Sequence, residues 1–238
     1  MKSKILQDLA EKGIKSLNEV EARGVLKEYD IACPEEIMVK YGAEKGGKDY
    51  LREMKEGGMP EYPVFLKVIS RAITSKTDAN AIERVSSDEE ASKSIDRILK
   101  NAKRYDEKAE VQGVLASEDA SNETREVFLG AAVDDHFGHM ISLGFGGIYV
   151  EVYGDVEFRA VPLEESDVHS MINGLRGKEI LGDFRGMRAI DMDSLVETTL
   201  KFSRLIEENP EIREMDVNPL LAGPGRTVAV DTLIRISP

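Results

Sequence analysis

Residues 214–231 read EMDVNPLLAGPGRTVAVD, and this stretch carries the strongest local signal in the sequence. Its two short apolar runs, 214–217 and 227–230, predict two strands joined through LLAGPGR. Pro219 has no backbone N–H to give to a strand ladder, so the first strand is predicted to stop there. The stretch therefore predicts a hairpin at the C-terminal end of the chain.

Three polar side chains mark the ends of these two strands. Asp216 and Asn218 are two residues apart on an extended segment, so they share one face. The hairpin would place Asp231, which ends the second run, beside Asn218. A carboxylate and an amide oxygen that converge in this way suit a hard cation such as Mg²⁺, which takes few protein ligands. The alternative is that these residues are polar strand ends flanking a turn, since Asp and Asn are ordinary turn formers.

Helices and strands alternate along the first half of the chain, and adjacent strands are more frequent in the second half. The pattern predicts strands at 63–69, 111–116, 126–133, 139–143, 148–152 and 156–161. It predicts helices at 16–30, 87–103, 166–176 and 193–208, the first with a capping box formed by Ser16 and Glu19. This order indicates an α+β protein with two lobes, whose boundary lies near residues 116–119.

The composition excludes several classes of protein. The 238 residues include 32 Lys and Arg against 45 Asp and Glu, so the formal net charge is −13. That charge argues against non-specific binding to nucleic acid or to an anionic membrane, and no apolar run approaches the roughly 20 residues of a membrane helix. Cys33 is the one cysteine, which excludes an intramolecular disulfide and suits a reducing cytosol. We identify no signal peptide in residues 1–13 and expect a cytoplasmic protein.

Lys67 interrupts the apolar run of the strand predicted at 63–69. If its side chain faces inward, it needs an anion to offset the loss of hydration, and a nucleotide phosphate would serve. The alternative is that the strand alternates and Lys67 points outward into solvent.

The loop that follows this strand is a second candidate for contact with phosphate. Residues 70–80 read SRAITSKTDAN, with two hydroxyl groups, on Ser75 and Thr77, around Lys76. Such loops can bind phosphate through backbone N–H groups when glycines allow close approach. This loop contains no glycine, which weakens the interpretation.

A glycine-rich segment, Gly144-Phe145-Gly146-Gly147, is the third candidate. Closely spaced glycines permit the close approach of another backbone or of a ligand, although no helix follows with the spacing of the dinucleotide fingerprint. Arg159 on the next strand is the natural anion-binding partner to consider. The alternative for Arg159 is an ion pair with Glu151 or Glu157.

Taken in order, these motifs resemble those of a known family. The segments are YPVFLKV, SKTDAN, GVLASE, REVFLGAAVDD, GFGGIYVEVYGDVEFRAVPL and MDVNPLLA followed by VAVD. Their order and spacing, from Val20 to Ile236, resemble the β subunit of NDP-forming acyl-CoA synthetases, which include the ADP-forming acetyl-CoA synthetases and are related to succinyl-CoA synthetase. The resemblance implies one ATP-grasp module over 1–238, with two α/β lobes, a smaller one at 18–116 and a larger one at 117–238, and the nucleotide site between them.

The resemblance also implies roles for individual residues. Lys67 matches the lysine that contacts nucleotide phosphates, and Asn218 and Asp231 match the magnesium ligands. Asp216 matches an acid that faces the phosphohistidine segment. The remaining matches are Glu118 at the adenine-side hinge, Ser121 and Glu126 at nucleotide-contacting positions, Ser75 and Lys76 in the phosphate loop, and Gly146, Gly147 and Arg159 close to the transferred phosphate.

The implied reaction is reversible and converts acid, CoA and ATP into acyl-CoA, ADP and phosphate. Its cofactors are ATP or ADP and Mg²⁺. Phosphate passes through a histidine on the α subunit, which divides one difficult transfer into two easier ones. This chain has no room for the CoA-binding domain, so the resemblance implies a separate α subunit in an α2β2 assembly, with no nucleic acid or membrane partner.

The chain departs from the family pattern in two places. β subunits of this family read His-Lys-Ser/Thr-Asp and then Val-Gly-Gly in the phosphate loop, whereas residues 75–81 read SKTDANA, without the relay histidine and both glycines. The hinge reads Ser117-Glu118-Asp119 in place of Gln-Glu-Met, which puts a charge near a usually apolar adenine pocket. The alternative functions are therefore a divergent, non-catalytic nucleotide-binding or regulatory paralogue, or an ATP-grasp ligase for another acid.

Overall fold

The computed structural model describes residues 2–73, 75–147 and 154–237. The chain forms two compact units. The small unit comprises Pro34–Asp119, and the large unit comprises Met1–Cys33 together with Ala120–Pro238. The strand predicted at 148–152 lies outside the described residues.

The elements of the described residues follow in chain order. The helices are α1 (Lys4–Glu11), α2 (Glu19–Glu28), α3 (Gly47–Glu56), α4 (Asp88–Tyr105), α5 (Glu165–Gly174) and α6 (Met192–Glu208), with a 3₁₀ turn at Lys178–Leu181. The strands are β1 (Glu36–Lys40), β2 (Val64–Ile69), β3 (Ile82–Val85), β4 (Gly113–Glu118), β5 (Arg125–Asp134), β6 (Gly138–Phe145), β7 (Val156–Ala160), β8 (Ile212–Ala222), β9 (Thr227–Ala229) and β10 (Thr232–Ile236).

The small unit is a four-stranded antiparallel sheet with the strand order β1-β4-β2-β3. Helices α3 and α4 pack on one face, where Leu66 and Val68 of β2 share a core with Ile95 and Ile98 of α4. Helix α4 begins as predicted, because the Ser87 side chain accepts a hydrogen bond from a backbone N–H of its first turn and three acidic residues complement the helix dipole there.

The large unit is a six-stranded antiparallel sheet in which β10, β8, β5, β6 and β7 follow one another and β9 pairs with β8. Its core lies on the face that carries Met215 and Val217, which pack in one cluster with Phe202 and Leu205 of α6. Because side chains alternate along a strand, Asp216 and Asn218 belong to the opposite face. The strand pattern thus separates a packing face from a polar face.

The first 33 residues pack with the large unit, which differs from the expected lobes at 18–116 and 117–238. Asn209 is fully buried at the end of α6, and its side chain accepts from the Ser3 N–H at 2.9 Å and donates to the Tyr29 hydroxyl at 2.8 Å. Buried polar groups need such partners. In the sequence, the small unit is therefore inserted into the large one. The chain passes from the large unit to the small unit after Cys33 and returns to the large unit after Asp119.

The start of α2 corrects the predicted capping box. Its N-cap is Asn18, which exchanges side-chain and backbone hydrogen bonds with Glu21. Ser16 forms a β-bridge with Arg235, and the Leu17 N–H donates to the Ile234 carbonyl at 3.0 Å. These long-range contacts hold residues 16 and 17 extended, so the helix begins later than its sequence suggests.

Pro219 does not end the strand, which continues as β8 to Ala222. The ladder between β5 and β8 shifts its register at this point, from Leu129 opposite Val217 to Val127 opposite Leu220. A proline is tolerated at such an irregularity because no N–H is required from it. The sequence analysis also missed β10, which pairs with the first half of β8.

Candidate functional site

The hairpin brings Asn218 and Asp231 together as the sequence predicted. The Asn218 N–H donates to the Asp231 carbonyl at 3.0 Å, and Thr232 pairs with Val217 immediately beyond. Asn218 is exposed and Asp231 is half-buried. The two residues therefore lie opposite each other at the point of β8 where pairing with β10 ends and pairing with β9 begins.

The glycine-rich segment joins this pair. The Gly147 N–H donates to Asn218 Oδ1 at 3.0 Å, and the Gly146 N–H donates to the Glu126 carbonyl at 2.8 Å. Gly147 has φ +62°, and a Cβ added to it would lie 1.9 Å from Glu126 Oε2. Glycine is thus required here both by the backbone conformation and by the neighbouring carboxylate. Glu126, Gly146, Gly147, Asn218 and Asp231 form one connected group, which we call the large-unit cluster.

The oxygens of Asn218 and Asp231 fit a magnesium ion. Mg²⁺ is usually bound by one or two carboxylate or amide oxygens and keeps its other positions for water and substrate phosphates. Asn218 Oδ1 accepts one hydrogen bond, and an amide oxygen has a second lone pair for a cation. Within the described residues no group of three or more His, Cys, Asp or Glu could hold a metal, so an all-protein cage is not the arrangement found.

Asp216 lies on the same face of the sheet as Asn218. It is opposite Gly130 in the ladder, and a Cβ added to that glycine would lie 2.9 Å from Asp216 Oδ1, so the absence of a side chain makes room for the carboxylate. Burial raises the pKa of Asp216; the charge of Glu214 raises it further, and Arg235 lowers it. Asp216 is therefore a partly desolvated acid on the polar face.

Lys67 is buried, with 3 % of its surface exposed, so the solvent-facing alternative is wrong. It lies in the middle of β2 between Leu115 of β4 and Ile82 of β3. Alternation along β2 places it on the face opposite Leu66 and Val68, away from the core formed with α3 and α4. The buried ammonium group of Lys67 favours the binding of an anion next to it, because the anion offsets the loss of hydration.

The hinge residues of the small unit are held by reciprocal hydrogen bonds. The Glu118 N–H donates to the Glu35 carbonyl at 2.8 Å, and the Glu35 N–H donates to Glu118 Oε2 at 3.2 Å. The Asp119 side chain is 6 % exposed and pairs with Arg84 at 2.6 Å. The charge that the sequence placed at the hinge is therefore neutralised within the small unit.

The loop at 75–81 forms a closed turn. Ser75 Oγ accepts from the Asp78 N–H at 3.4 Å, and the Ser75 carbonyl accepts from the Ala79 N–H at 3.2 Å. Asn80 has φ +47°, a conformation that Asn tolerates in place of glycine. Several backbone N–H groups therefore donate hydrogen bonds to other residues of the loop. The Lys76 side chain is partly buried.

Two predicted residues stand apart from the large-unit cluster. Arg159 is opposite Ile141 in the ladder and so lies on the packing face, where it contacts Glu157 at 3.3 Å and Ser170 at 3.0 Å. This geometry shows the ion pair with Glu157 and places Arg159 on the face opposite the polar face, so its role near a transferred phosphate stays a prediction. Ser121 is exposed, and its carbonyl accepts from Thr124.

The sequence analysis missed Arg23, which reaches this part of the large unit from α2. Arg23 is fully buried and donates to the Val230 carbonyl, next to Asp231. The signal was present as Glu19 and Arg23 at helical i,i+4 spacing among apolar residues. A charged pair on an apolar helix face indicates a buried contact.

Comparison with known proteins gives a consistent result. A sequence model of the family described as ATP-grasp domain matches residues 8–236. The β subunit of acetate–CoA ligase (ADP-forming) II from Pyrococcus furiosus is 36% identical over 236 residues, which cover 97% of this chain and 96% of that subunit.

Solved structures of a dinucleotide-forming acetyl-CoA synthetase 1 from Candidatus Korarchaeum cryptofilum agree with this match. The complex with coenzyme A, Ca-AMPCP and HgCl⁺ has a TM-score of 0.89 and 33% identity, and the match covers 98% of both chains. The complex with coenzyme A and Mg-AMPPCP, whose phosphohistidine segment points towards the nucleotide binding site, has a TM-score of 0.81 and 30% identity, again over 98% of both chains.

This chain therefore belongs to the ATP-grasp domain family, among the β-subunit homologues of ADP-forming acyl-CoA synthetases. The ATP-grasp fold and the family suggested by its motifs are both confirmed. Among the described residues, no helix has the length and apolar character needed to cross a membrane.

Proposed function

We propose that this chain is the ATP-grasp β subunit of an ADP-forming acyl-CoA synthetase. It binds Mg-ADP or Mg-ATP and exchanges phosphate with a histidine on a separate α subunit, in an α2β2 assembly in the cytoplasm. The observation that carries the proposal is the large-unit cluster, in which Gly147 holds the side chain of Asn218 and Asn218 holds the backbone of Asp231. This arrangement suits a magnesium nucleotide in a family whose members are nucleotide-dependent ligases.

The relatives support the proposal. The Pyrococcus protein, 96% of which is matched by this chain, is named as a β subunit, which implies an α partner for this chain as well. The Korarchaeum complexes contain a nucleotide analogue with a divalent cation, one of them with magnesium. Cys33 is not in a disulfide bond, which fits a reducing compartment.

Phosphoryl transfer needs positioning and charge neutralisation more than it needs covalent chemistry. In the proposal, Lys67 stabilises the negative charge of the nucleotide phosphates with its buried ammonium group. Asn218 and Asp231 hold the magnesium, which neutralises phosphate charge when bound. Glu118 and Glu126 contact the nucleotide, and Asp216 faces the partner's histidine segment.

The closed loop at 75–81 limits the route of the phosphate. Ser75 stands where relatives have a histidine, and a serine cannot serve as an equivalent phosphate carrier. We therefore propose that phosphate moves directly between the partner's histidine and the nucleotide. In the direction of ATP synthesis the P–N bond to the histidine breaks and a P–O bond to the terminal oxygen of ADP forms.

Calorimetric titration of the purified chain with ADP, in the presence of Mg²⁺ and again in EDTA, tests nucleotide binding. Magnesium-dependent binding is expected, either in the isolated chain or in the complex with its co-purified α subunit. A phosphate-transfer assay of the complex follows, with phosphorylated α subunit and ADP. Absence of nucleotide binding in both preparations would overturn the proposal, and binding without transfer would identify a non-catalytic paralogue.

A further inference from the structure

We infer that Arg23 is a positioning residue for the metal pair, because it fixes the Val230 carbonyl and thereby the place of Asp231. The inference rests on the proposed function, since it takes Asp231 as a magnesium ligand. Arg23 lies in α2, some two hundred positions before the hairpin, and none of the motifs quoted above includes it.

Arg23 is paired so that it brings no net charge to its surroundings. It is fully buried, and its Nη2 contacts Glu19 Oε1, whose side chain is 1% exposed. Both residues lie on α2 at i,i+4 spacing, next to the buried Ala22 and Val25. A buried arginine without a partner would be costly and would repel a nearby cation, whereas the pair is neutral and keeps its N–H donors.

The guanidinium group of Arg23 holds one carbonyl with two donors. Its Nε donates to the Val230 oxygen at 3.1 Å, and its Nη2 donates to the same oxygen. Val230 lies between the end of β9 and the start of β10, where the strand ladder is interrupted. A side chain therefore supplies the hydrogen bond that a neighbouring strand would supply elsewhere, and the rigid fork of an arginine fixes the direction of the carbonyl.

The other backbone groups around Val230 are also fixed. The Ala229 N–H donates to the Ala32 carbonyl at 2.8 Å, and the Val230 N–H donates to the Pro219 carbonyl at 3.2 Å. The Asp231 carbonyl accepts from Asn218. Arg23 adds the hydrogen bond to the Val230 carbonyl, which belongs to the peptide that precedes Asp231, so it constrains the direction in which the chain enters Asp231.

Groups that orient metal ligands affect metal affinity by about 10- to 100-fold. The double variant Glu19→Gln with Arg23→Gln removes both charges at once and so avoids leaving one of them buried and unpaired. We expect it to bind Mn²⁺ about 10- to 100-fold more weakly than the wild type in the presence of ADP. Binding of Mn²⁺ to the purified full chain is measured by electron paramagnetic resonance of the free ion. ADP affinity in EDTA is expected to be unchanged.

Two further variants separate positioning from general stability. Arg23→Lys keeps the charge but loses the fork, and a smaller loss of Mn²⁺ affinity in the same direction is expected. Asn209→Ala is the matched control, because Asn209 is a buried polar residue whose side chain bonds Ser3, Tyr29 and Leu205 rather than Val230. It is expected to lower the thermal midpoint while leaving Mn²⁺ affinity at the wild-type value.

The outcomes distinguish the inference from the proposed function. Wild-type Mn²⁺ affinity in both Arg23 variants, or a loss no larger than that of Asn209→Ala, would overturn the role of Arg23 alone. Failure of the wild-type chain and its complex to bind Mn²⁺ with ADP would overturn the proposed function. If the double variant does not fold, Arg23→Lys decides: reduced metal affinity supports the inference and wild-type affinity overturns it.

Discussion

The glycine-rich segment at 144–147 and the loop at 75–81 were both candidates for contact with phosphate, and they differ in where their backbone N–H groups are directed. The N–H groups of Gly146 and Gly147 reach other elements, the Glu126 carbonyl and the Asn218 side chain. In the loop, the N–H groups of residues 78–81 donate to residues 75–77 of the same loop. The first segment uses its N–H groups to contact other elements, and the second uses these N–H groups to form its own turn.

The comparison shows what the glycines do in each place. Gly147 passes directly against the Glu126 carboxylate, so a side chain at this position would displace that carboxylate. In the loop, the left-handed position is taken by Asn80, which needs no close approach to another element. Loss of glycine from the loop is therefore compatible with a stable turn, whereas loss of Gly147 would change the position of a neighbouring carboxylate in the cluster.

The largest effect is expected from Asp231→Ala. The variant removes the carboxylate of the proposed metal pair but keeps the backbone carbonyl that accepts from Asn218, so the hairpin should remain. Metal-dependent ADP binding should fall by more than the roughly 10- to 100-fold expected for a group that only orients a ligand. Calorimetry with and without EDTA measures it, and Asp135→Ala, an exposed carboxylate of the same unit, is the control. Unchanged binding in Asp231→Ala would contradict the metal assignment.

Gly147→Ala should have the next largest effect. The new Cβ would displace the Glu126 carboxylate from its position against the glycine. In the proposal the Glu126 carboxylate contacts the nucleotide, and loss of one hydrogen bond from a charged group costs about 1.5–3 kcal/mol, which corresponds to roughly 10- to 100-fold in nucleotide affinity measured by calorimetry.

Gly138→Ala is the matched control for that substitution. Gly138 also has a positive φ, +72°, but nothing lies within 4 Å of the added Cβ. It should cost only the conformational strain, about 1–2 kcal/mol of the free energy of unfolding. Equal nucleotide affinities in the two alanine variants would show that Gly147 matters only for its backbone conformation.

Ser75→His tests the closed loop and should have a small effect. The variant introduces the residue that the resemblance implies at this position but loses a weak hydrogen bond from the Asp78 N–H, so a stability loss of about 0.5–1 kcal/mol is expected. The rate of phosphate transfer should be close to that of the wild type, since phosphate does not pass through the loop in the proposal. Complete loss of activity, or accumulation of phosphate on the new histidine, would show that the loop takes part.

The smallest effect concerns the dependence of stability on pH. Burial raises the pKa of Asp216 in the folded state above its unfolded value, so its contribution to stability is fully present below the unfolded pKa. That contribution is lost as the pH rises through the folded pKa. Asp216→Asn should therefore gain stability relative to the wild type at neutral pH and lose this advantage in acid, as followed by urea unfolding at several pH values. A difference in the free energy of unfolding between wild type and Asp216→Asn that stays constant at every pH would contradict the raised pKa of Asp216.

Local signals allowed much of this structure to be predicted from the sequence. Helix α4 has a cap, charged ends and regular apolar spacing, and the hairpin that joins Asn218 to Asp231 has two apolar runs around a turn. Both depend on neighbouring residues alone. The burial of Lys67 could only be implied by the resemblance, because a single strand does not reveal which of its faces is covered.

Features that depend on distant residues were missed. Residues 16 and 17 are extended because β10 pairs with them, and Pro219 stays in a strand because the ladder shifts there. The face on which Arg159 lies follows from the register between β6 and β7, which the sequence does not give. Arg23 acts on a carbonyl that only the fold brings near. In each case the deciding contact joins segments that are far apart in sequence.

The hydrogen bonds between Glu35 and Glu118 show that the small unit begins and ends at one place. Glu36 pairs with Ser117 in adjacent strands, so the first and last residues of this unit are neighbours. During synthesis, the helices of residues 1–33 must wait for strands that are made only after the whole small unit has emerged from the ribosome. Because the ends of the small unit meet, and because the described strands of the large-unit sheet all follow it in the chain, a change in its length would leave the connectivity of that sheet unaltered.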